Sequence, residues 1–470
     1  MGFLGLSNVR RFSAIQMRSS ADDDRRLRAS AACNNSAAAV PLPHDDPKNT
    51  GTTSDNFRDN SRQLQTTSDN FRQLQTTSVL TVLTVPGIAK PVFCIQSYVM
   101  SSVTSTFALP QRQNALVVAG PGQLSLHQDW PLPHVAPDMA LVRTVAVAIN
   151  PVDAKMLDYS PAVGAIHGYD FAGVVVALGS DAPHHLSIGD RVAGAVHGNN
   201  SLEPRVGAFA QYVGATAELL LRIPDTMTFE EASTLGIGLA TAGLALFREL
   251  EIPVSIEDLI DRAGPDSDVT SNAAWVLVSG GSTATGTRAI QLLKLAGLRP
   301  IATCSPSNFT LVLEFGAEKA FNYRSPDCAK EIRAYTRNGL AYALDCVSES
   351  DSAQLCYGAI GRAGGRYCGV EPVRQAVAAT RPTVRASWLM VLTMFGGRVA
   401  LDGEYAREAS AVDRTLSAKI FAATQTLLDN GRIKSHPIRV LADSWAGVIQ
   451  GVDIIRTGAV SGQKLVVRVD

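Results

Sequence analysis

The chain has 470 residues, of which 46% are apolar and 18% charged, and its formal net charge is -1. That length allows two domains with additional material. A near-neutral balance leaves no basic footprint and excludes nucleic acid as an expected partner. Seven cysteines (Cys33, Cys94, Cys304, Cys328, Cys346, Cys356 and Cys368) are scattered without a C-x-x-C pair. This is the pattern of reduced intracellular thiols, not of a disulfide framework or a structural zinc lobe. No apolar run of about 18 residues goes uninterrupted; the best, residues 79–97, carries Lys90 and two prolines. The expectation is a soluble, cytoplasmic monomer with no membrane partner.

Residues 1–100 read as a low-complexity extension. They hold a near-duplicate, TTSDNFRDNSRQLQ from Thr52 and TTSDNFRQLQ from Thr66. Their Ser, Thr, Asn, Gln and Arg leave little to bury, which predicts disorder and a segment dispensable for activity. Globular patterning begins after Met100. Residues 101–235 read as short strands and turns: ALVRTVAVAINP, GYDFAGVVVALGSD, GDRVAGAV and GAFAQYV. ASTLGIGLATAGLALFREL has the length and composition of a helix. After a polar linker, residues 236–395 alternate strand and helix: WVLVSGG, TGTRAIQLLKLAG, RPIATCS, NFTLVLEFGA, KAFNYRS, YALDCVS and GGRYCGV. This alternation predicts an α/β fold with a doubly wound parallel sheet. Residues 396–470 form a return segment of helix, extended piece HPIRVL, helix and final strand KLVVRV.

The turn SGGSTATG, residues 279–286, follows the buried-type run Ala274–Val278 and opens a helix. A strand, a glycine turn and a helix N-terminus make a phosphate cradle. Gly280 suits the tight turn and Gly286 the close packing of helix on strand. Ser282, Thr283, Ala284 and Thr285 lie where a pyrophosphate would sit, with hydroxyls to supplement backbone N–H groups. A dinucleotide is the expected ligand; the plainer alternative is a Ser/Thr-capped turn. NAD binders place an acid about 20 residues on, at the next strand end, against the ribose 2′-hydroxyl. Here Ser305, Pro306, Ser307 and Asn308 stand there without a carboxylate, and Tyr323 with Arg324 ends the following strand. An acid would repel a 2′-phosphate, so its absence favours NADPH.

INPVDAK (149–155), GYDFAGVV (168–175), GDRV (189–192) and GAFAQYV (207–213) resemble the medium-chain dehydrogenase/reductase superfamily. The resemblance implies a GroES-like catalytic domain beside a Rossmann domain. Zinc-dependent members carry a cysteine near the first motif and a histidine in the second. Those places read Asn150-Pro151 and Tyr169-Asp170, so no metal is expected. GGSTAT (280–285), IATCSPSNF (301–309), YALDC (342–346), AIGRAGGRY (359–367) and SGQKLVVRV (461–469) are similar to the fungal trans-acting enoyl reductases of highly reducing polyketide synthases. One departure is Gly286, where that spelling leads one to expect a second alanine.

This resemblance implies NADPH-dependent saturation of an enoyl thioester on the acyl carrier domain of such a synthase, either with or without a peptide-synthetase module. The chemistry needs a dry slot and a donor near the thioester oxygen. Lys155 is the expected catalytic group, with Asp153 two residues back holding it. The resemblance places Val152, Asp153, Ala154 and Lys155, Val370 and Glu371, and Ser461 and Gly462 against the cofactor. It places acyl contacts along Ala242, Gly243, Leu244, Ala245, Leu246, Phe247, Arg248 and Glu249, and along Leu392, Thr393, Met394, Phe395 and Gly396. Core packing of those apolar stretches is the competing reading. The eight histidines show no metal or triad spacing, and Cys304 is expected to be a buried small hydrophobe. Two other functions fit the residues: a free-standing quinone or enone reductase, and a non-catalytic NADPH-binding subunit.

Overall fold

A computed structural model of the protein describes residues 109–261 and 273–469 in full, together with the backbone of three short strands further toward the N-terminus. Those strands are β1 (Thr76–Leu83), β2 (Val92–Val99) and β3 (Thr104–Ser105). β1 and β2 pair antiparallel, with Thr76 opposite Val99. The disorder expected over 1–100 otherwise lies outside the described residues. This departure falls in the Val-, Thr- and Leu-rich part of the extension, a composition that favours strands.

The β-rich lobe holds β4 (Arg112–Gly120), β5 (Gln123–Pro131), β6 (Met139–Ile149), helix α1 (Pro151–Tyr159), β7 (Asp170–Leu178), β8 (Arg191–Ala195), β9 (Tyr212–Thr216) and β10 (Leu220–Arg222). After the short α2 (Phe229–Ala232), helix α3 (Gly236–Leu244) runs into a π-turn over Ala245–Glu249, and α4 (Glu257–Asp261) follows. The second lobe alternates β11 (Trp275–Ser279), α5 (Ala284–Leu295), β12 (Arg299–Cys304), α6 (Phe309–Glu314), β13 (Lys319–Asn322), α7 (Cys328–Tyr335), β14 (Tyr342–Asp345), α8 (Ser350–Ala359), β15 (Gly365–Gly369), α9 (Gln375–Ala378) and β16 (Val384–Trp388). The chain ends with α10 (Ala411–Asp429), β17 (Ile438–Leu441), α11 (Ser444–Arg456) and β18 (Lys464–Arg468).

The second-lobe strands stand in the order β13-β12-β11-β14-β15-β16, all parallel. The order reverses between β11 and β14, and ligands of such sheets bind outside the strand ends at that switch point. In the other sheet the order is β10-β8-β7-β6-β18-β17, with β9 on β6. β18 lies antiparallel to β6, Leu465 opposite Ile149, so the return segment completes the first lobe's sheet.

The strand read over ALVRTVAVAINP ends at Ile149, and the PVDAK that follows opens α1, with Pro151 at the first helical position, where its missing N–H costs nothing and its fixed φ suits the helix. The single helix expected over residues 232–250 divides into α3 and the π-turn. α3 is buried along its whole length, and Gly243 meets Ile420 of α10 so closely that an added Cβ would lie 2.7 Å from its side chain.

Candidate active site

The cradle forms at the switch point. Gly280 follows β11 in the left-handed region (φ +73°), a conformation that glycine adopts without a Cβ penalty. Thr283 caps α5: its Oγ1 accepts from the Gly286 N–H at 3.0 Å, and its own N–H donates to the Gly280 carbonyl at 2.9 Å. The capping role weighed against phosphate contact is therefore one that Thr283 fills. The first N–H groups of a helix have no partner within it, and at α5 they belong to Ala284 and Thr285. Residues 282–285 are half-buried, whereas Gly286 and the rest of the first turns are buried. A phosphate thus has open access to the rim and none to the base. A Cβ at position 286 would lie 2.4 Å from the Gly280 carbonyl oxygen. This fits the close packing read for Gly286: the missing side chain is what lets α5 close on the turn.

Three segments far apart in sequence meet at the cradle. Asn308 Nδ2 donates to Ser282 Oγ at 3.2 Å and to Ser461 Oγ at 2.9 Å, and Gly462 packs against the Asn308 side chain. Ser305 precedes the turn Pro306–Asn308 at the end of β12, its carbonyl accepting the Asn308 N–H at 2.9 Å, and Pro306 and Ser307 are exposed. Cys304 of β12 pairs with Asn322 of β13, which sets the exposed Tyr323 and Arg324 beside that turn, Arg324 over the Tyr323 ring. Cys304 itself is buried, and burial pushes its thiol up to about 11; it has no nucleophilic character.

Lys155 stands on α1 with Val152 and Tyr159, residues spaced i, i+3 and i+7 and so on one face. Asp153 and Ala154 face the opposite way and are 0% and 5% exposed. They have no surface to offer a cofactor, and Asp153 does not hold Lys155. Two residues apart are about 200° apart on a helix. Instead Asp153 accepts the Asn150 N–H at 2.6 Å at the helix start. The partner of Lys155 is Glu371, just past β15, whose Oε2 forms an ion pair with Lys155 Nζ. Nζ also donates to Tyr405 Oη at 2.8 Å, and Tyr405 Oη donates to Glu371 Oε2 at 2.8 Å. Burial pulls the Lys155 ammonium down, but its hydrogen bonds to Glu371 and Tyr405 outweigh that and hold it above the ordinary lysine range. Lys155 is a cation at neutral pH, and it matches the charge of Glu371 beside the expected nicotinamide position. Val370 is held there by its N–H bond to Ser348 Oγ at 2.8 Å.

The two acyl-contact stretches divide. Ala242, Leu244, Ala245 and Leu246 are 0% exposed and lie in the main core, with Gly243 against Ile420; in this conformation they give a substrate nothing to touch. Phe247, Arg248 and Glu249 reach the surface, where Arg248 Nε donates to Asp413 at 3.1 Å. Leu392, Thr393 and Met394 are buried. Phe395 is half-buried and stacks on His197, ring centroids 6.3 Å apart, and Gly396 closes the turn in the left-handed region.

Asn150 and Tyr169 do not offer a metal a donor set. Asn150 Oδ1 accepts from Lys464 Nζ at 2.6 Å and its Nδ2 donates to Asp170 Oδ2 at 3.0 Å, while Tyr169 is a buried phenol pushed up by burial. Among the described residues no three His, Cys, Asp or Glu side chains converge on one point.

Residues 136–225 match the family described as alcohol dehydrogenase GroES-like domain, and residues 284–398 the family described as zinc-binding dehydrogenase. The trans-enoyl reductase caaB of Aspergillus niger is 60% identical over 364 residues, 77% of this chain and 99% of its own length. The trans-enoyl reductase traG of Penicillium crustosum is 56% identical over 365 residues, 77% and 99% of the two lengths. The chain belongs to the trans-acting enoyl reductases of the medium-chain dehydrogenase/reductase superfamily. Solved structures share its fold: the CurK enoyl reductase (TM-score 0.57, 17% identical) covers 76% of this chain and 100% of its own. A dehydrogenase described as putative and zinc-dependent, from Rhizobium etli, gives a TM-score of 0.62 at 24% identity, covering 76% and 98%.

In this trans-enoyl reductase the sequence reading missed Tyr405, whose only signal is its side chain's return to Lys155 across 250 residues. It also missed the buried histidines. Burial lowers His167 and His197 to about 4 and His436 to about 3, so all three are neutral in the folded chain. Unfolded histidine takes a proton near 6.5, so folding stability falls as pH drops from 6.5 toward 4, by about 3 kcal/mol at pH 4 for a histidine held at 4. Asp153 has the opposite slope. Burial raises it to about 8, so its contribution is lost as pH rises from the unfolded value near 3.9 through 8. Thermal melts between pH 4.5 and 9 are expected to peak near pH 6, and Asp153→Asn is expected to remove the decline between pH 6 and 8 while steepening the rise on the acid side.

Proposed function

We propose that this trans-enoyl reductase uses NADPH to saturate the α,β-double bond of an enoyl thioester carried by the acyl carrier domain of a highly reducing polyketide synthase, in the cytoplasm and as a monomer without metal. The observation that carries this reading is the charged, half-buried Lys155, paired with Glu371 just past β15 and hydrogen-bonded to Tyr405. When bound, the nicotinamide supplies a hydride to the β-carbon. Lys155 exchanges its hydrogen bond for the thioester oxygen and meets the negative charge that develops there, the role a preorganised donor fills best in a water-poor site. Ser282, Ala284 and Thr285 hold the pyrophosphate at the α5 N-terminus, and Asn308 ties the return segment over it. Ser305, Ser307, Tyr323 and Arg324 take the 2′-phosphate with no carboxylate to oppose it.

The test measures cofactor oxidation by the purified chain with an enoyl thioester on pantetheine, the same acyl group on an excised carrier domain, and a small diffusible enone. NADPH is expected to be favoured over NADH, and the carrier-bound thioester over the enone. Lys155→Ala is expected to lower kcat/KM by about 10²- to 10³-fold, the loss typical of one oxyanion donor. Equal rates on the enone and both thioesters would make the chain a reductase of diffusible substrates. Undiminished product saturation by a variant that no longer binds NADPH would make it a non-catalytic subunit.

A further inference from the structure

Reduction of an enoyl thioester needs two polar contacts of different kinds: a cation at the carbonyl oxygen and a proton for the α-carbon. Lys155 is placed for the first, and a single ammonium held at the oxygen is not free to protonate the neighbouring carbon. The structure sets a second donor beside it. Tyr405 Oη lies 2.8 Å from Lys155 Nζ. In a thioester the carbonyl oxygen and the α-carbon are about 2.4 Å apart, from the C=O and Cα–C bond lengths. Two donors at that spacing match those two atoms.

The Tyr405 ring has no freedom to swing away. It is 9% exposed, edge-on to Tyr159 (centroids 5.4 Å, planes 70° apart) and to Trp388 (5.7 Å, 78°). Gly403, two residues earlier in the same turn, packs so tightly that a Cβ there would lie 2.7 Å from Tyr159 Oη. The hydroxyl oxygen is therefore fixed by packing, while its single O–H, donated here to Glu371 Oε2, can turn about the Cζ–Oη bond toward a bound substrate.

We propose that Tyr405 is the catalytic acid that protonates the α-carbon, with Glu371 a positioning residue that holds Tyr405 and Lys155 side by side. This rests on the enoyl reductase reading of the same site. Once hydride has reached the β-carbon, the enolate electron pair takes the Tyr405 proton, forming the α C–H bond and breaking the phenol O–H bond. The tyrosinate is left beside the Lys155 ammonium, which passes it a proton and recovers one from water through its partly exposed side chain (39%). One hydride and one proton are added, and no further reagent is consumed.

The experiment uses the full chain with NADPH and the pantetheine thioester of 2-methylbut-2-enoic acid, whose α-methyl makes the protonated face readable. Wild type is expected to give one α-configuration. Tyr405→Phe is expected to lower kcat about 10²-fold or more, the scale of a lost general acid, to change KM less than about threefold, and to give both configurations. Glu371→Gln is expected to keep one configuration with a smaller loss. Should the Phe variant also be less stable, Tyr405→His restores a donor at the same place; recovery of rate by His and not by Phe supports the proposal, and equal inactivity of the two overturns it. A folded Tyr405→Phe protein with wild-type kcat and a single configuration also overturns it, while leaving the enoyl reductase reading intact. Failure of wild type to oxidise NADPH with any enoyl thioester sinks that reading itself, and this proposal with it.

Discussion

Gly286→Ala is expected to remove dinucleotide binding although it deletes no hydroxyl of the STAT turn. The added Cβ would stand 2.4 Å from the Gly280 carbonyl oxygen and 2.8 Å from Gly281 C and Cα. All three are backbone atoms, so relief requires the turn or the helix start to move. The turn cannot yield on its far side, because a Cβ-sized shift of Gly281 runs into Ala302, 2.7 Å from where its own Cβ would be. α5 must therefore lift from β11, and the N–H groups of Ala284 and Thr285 move with it. A misplacement near 1 Å at a binding surface costs on the order of 10²-fold in rate, and overpacking a tight site costs about 1–3 kcal/mol in stability. Fluorescence titration with NADPH and kcat/KM measurement check both: a dissociation constant within threefold of wild type would show that the turn absorbs the methyl. Thr285→Ala is the contrasting variant. It removes one hydroxyl and no backbone donor, and its expected loss is less than about tenfold, the scale of a single hydrogen bond to a charged group.

The same turn shows what was legible in the residues. Strand, glycine turn and helix are local features, and the alternation that follows them dictates a parallel sheet, so the cradle and its position at the switch point could be read directly. The acid-free end of β12 was equally local. The close packing read for Gly286 was legible too, though not its partner, the Gly280 carbonyl six residues back. Lys155 was found by its motif, yet its partner was misassigned: helical geometry sends Asp153, two residues back, inward and away from it. Glu371 and Tyr405 reach Lys155 from the end of β15 and from the return segment, and no pattern in the sequence pairs residues so far apart. The α3 stretch was ambiguous for another reason: Ala, Gly and Leu suit a substrate wall and a core equally, and packing against α10 decides for the core.

Lys464→Met is expected to be among the most destabilising single changes in the chain. Lys464 Nζ is bound to Asp170 Oδ2 and to Asn150 Oδ1, each at 2.6 Å, with side-chain exposures of 5% for Lys464 and 0% for Asp170. Asp170 Oδ1 also accepts the Ile237 N–H at 2.7 Å, at the start of α3. One ion pair thus joins β18, β7, the start of α1 and the start of α3. Removing the cation leaves a carboxylate in the interior with amide donors alone, and breaking a buried pair in this way costs about 3–5 kcal/mol. The thermal midpoint is expected to fall by on the order of 10 °C. Activity is expected to fall as well, because Asn150 sets the first turn of the helix that carries Lys155. Lys330→Ala is the control: Lys330 pairs with Asp327 at 2.8 Å, but their side chains are 83% and 59% exposed, and such pairs contribute under about 1 kcal/mol. The double variant Asp170→Asn, Lys464→Met separates charge from packing. If the buried charge is the cost, the neutral double variant melts above Lys464→Met alone; if the two melt together, the loss belongs to the lysine's packing and hydrogen bonds instead.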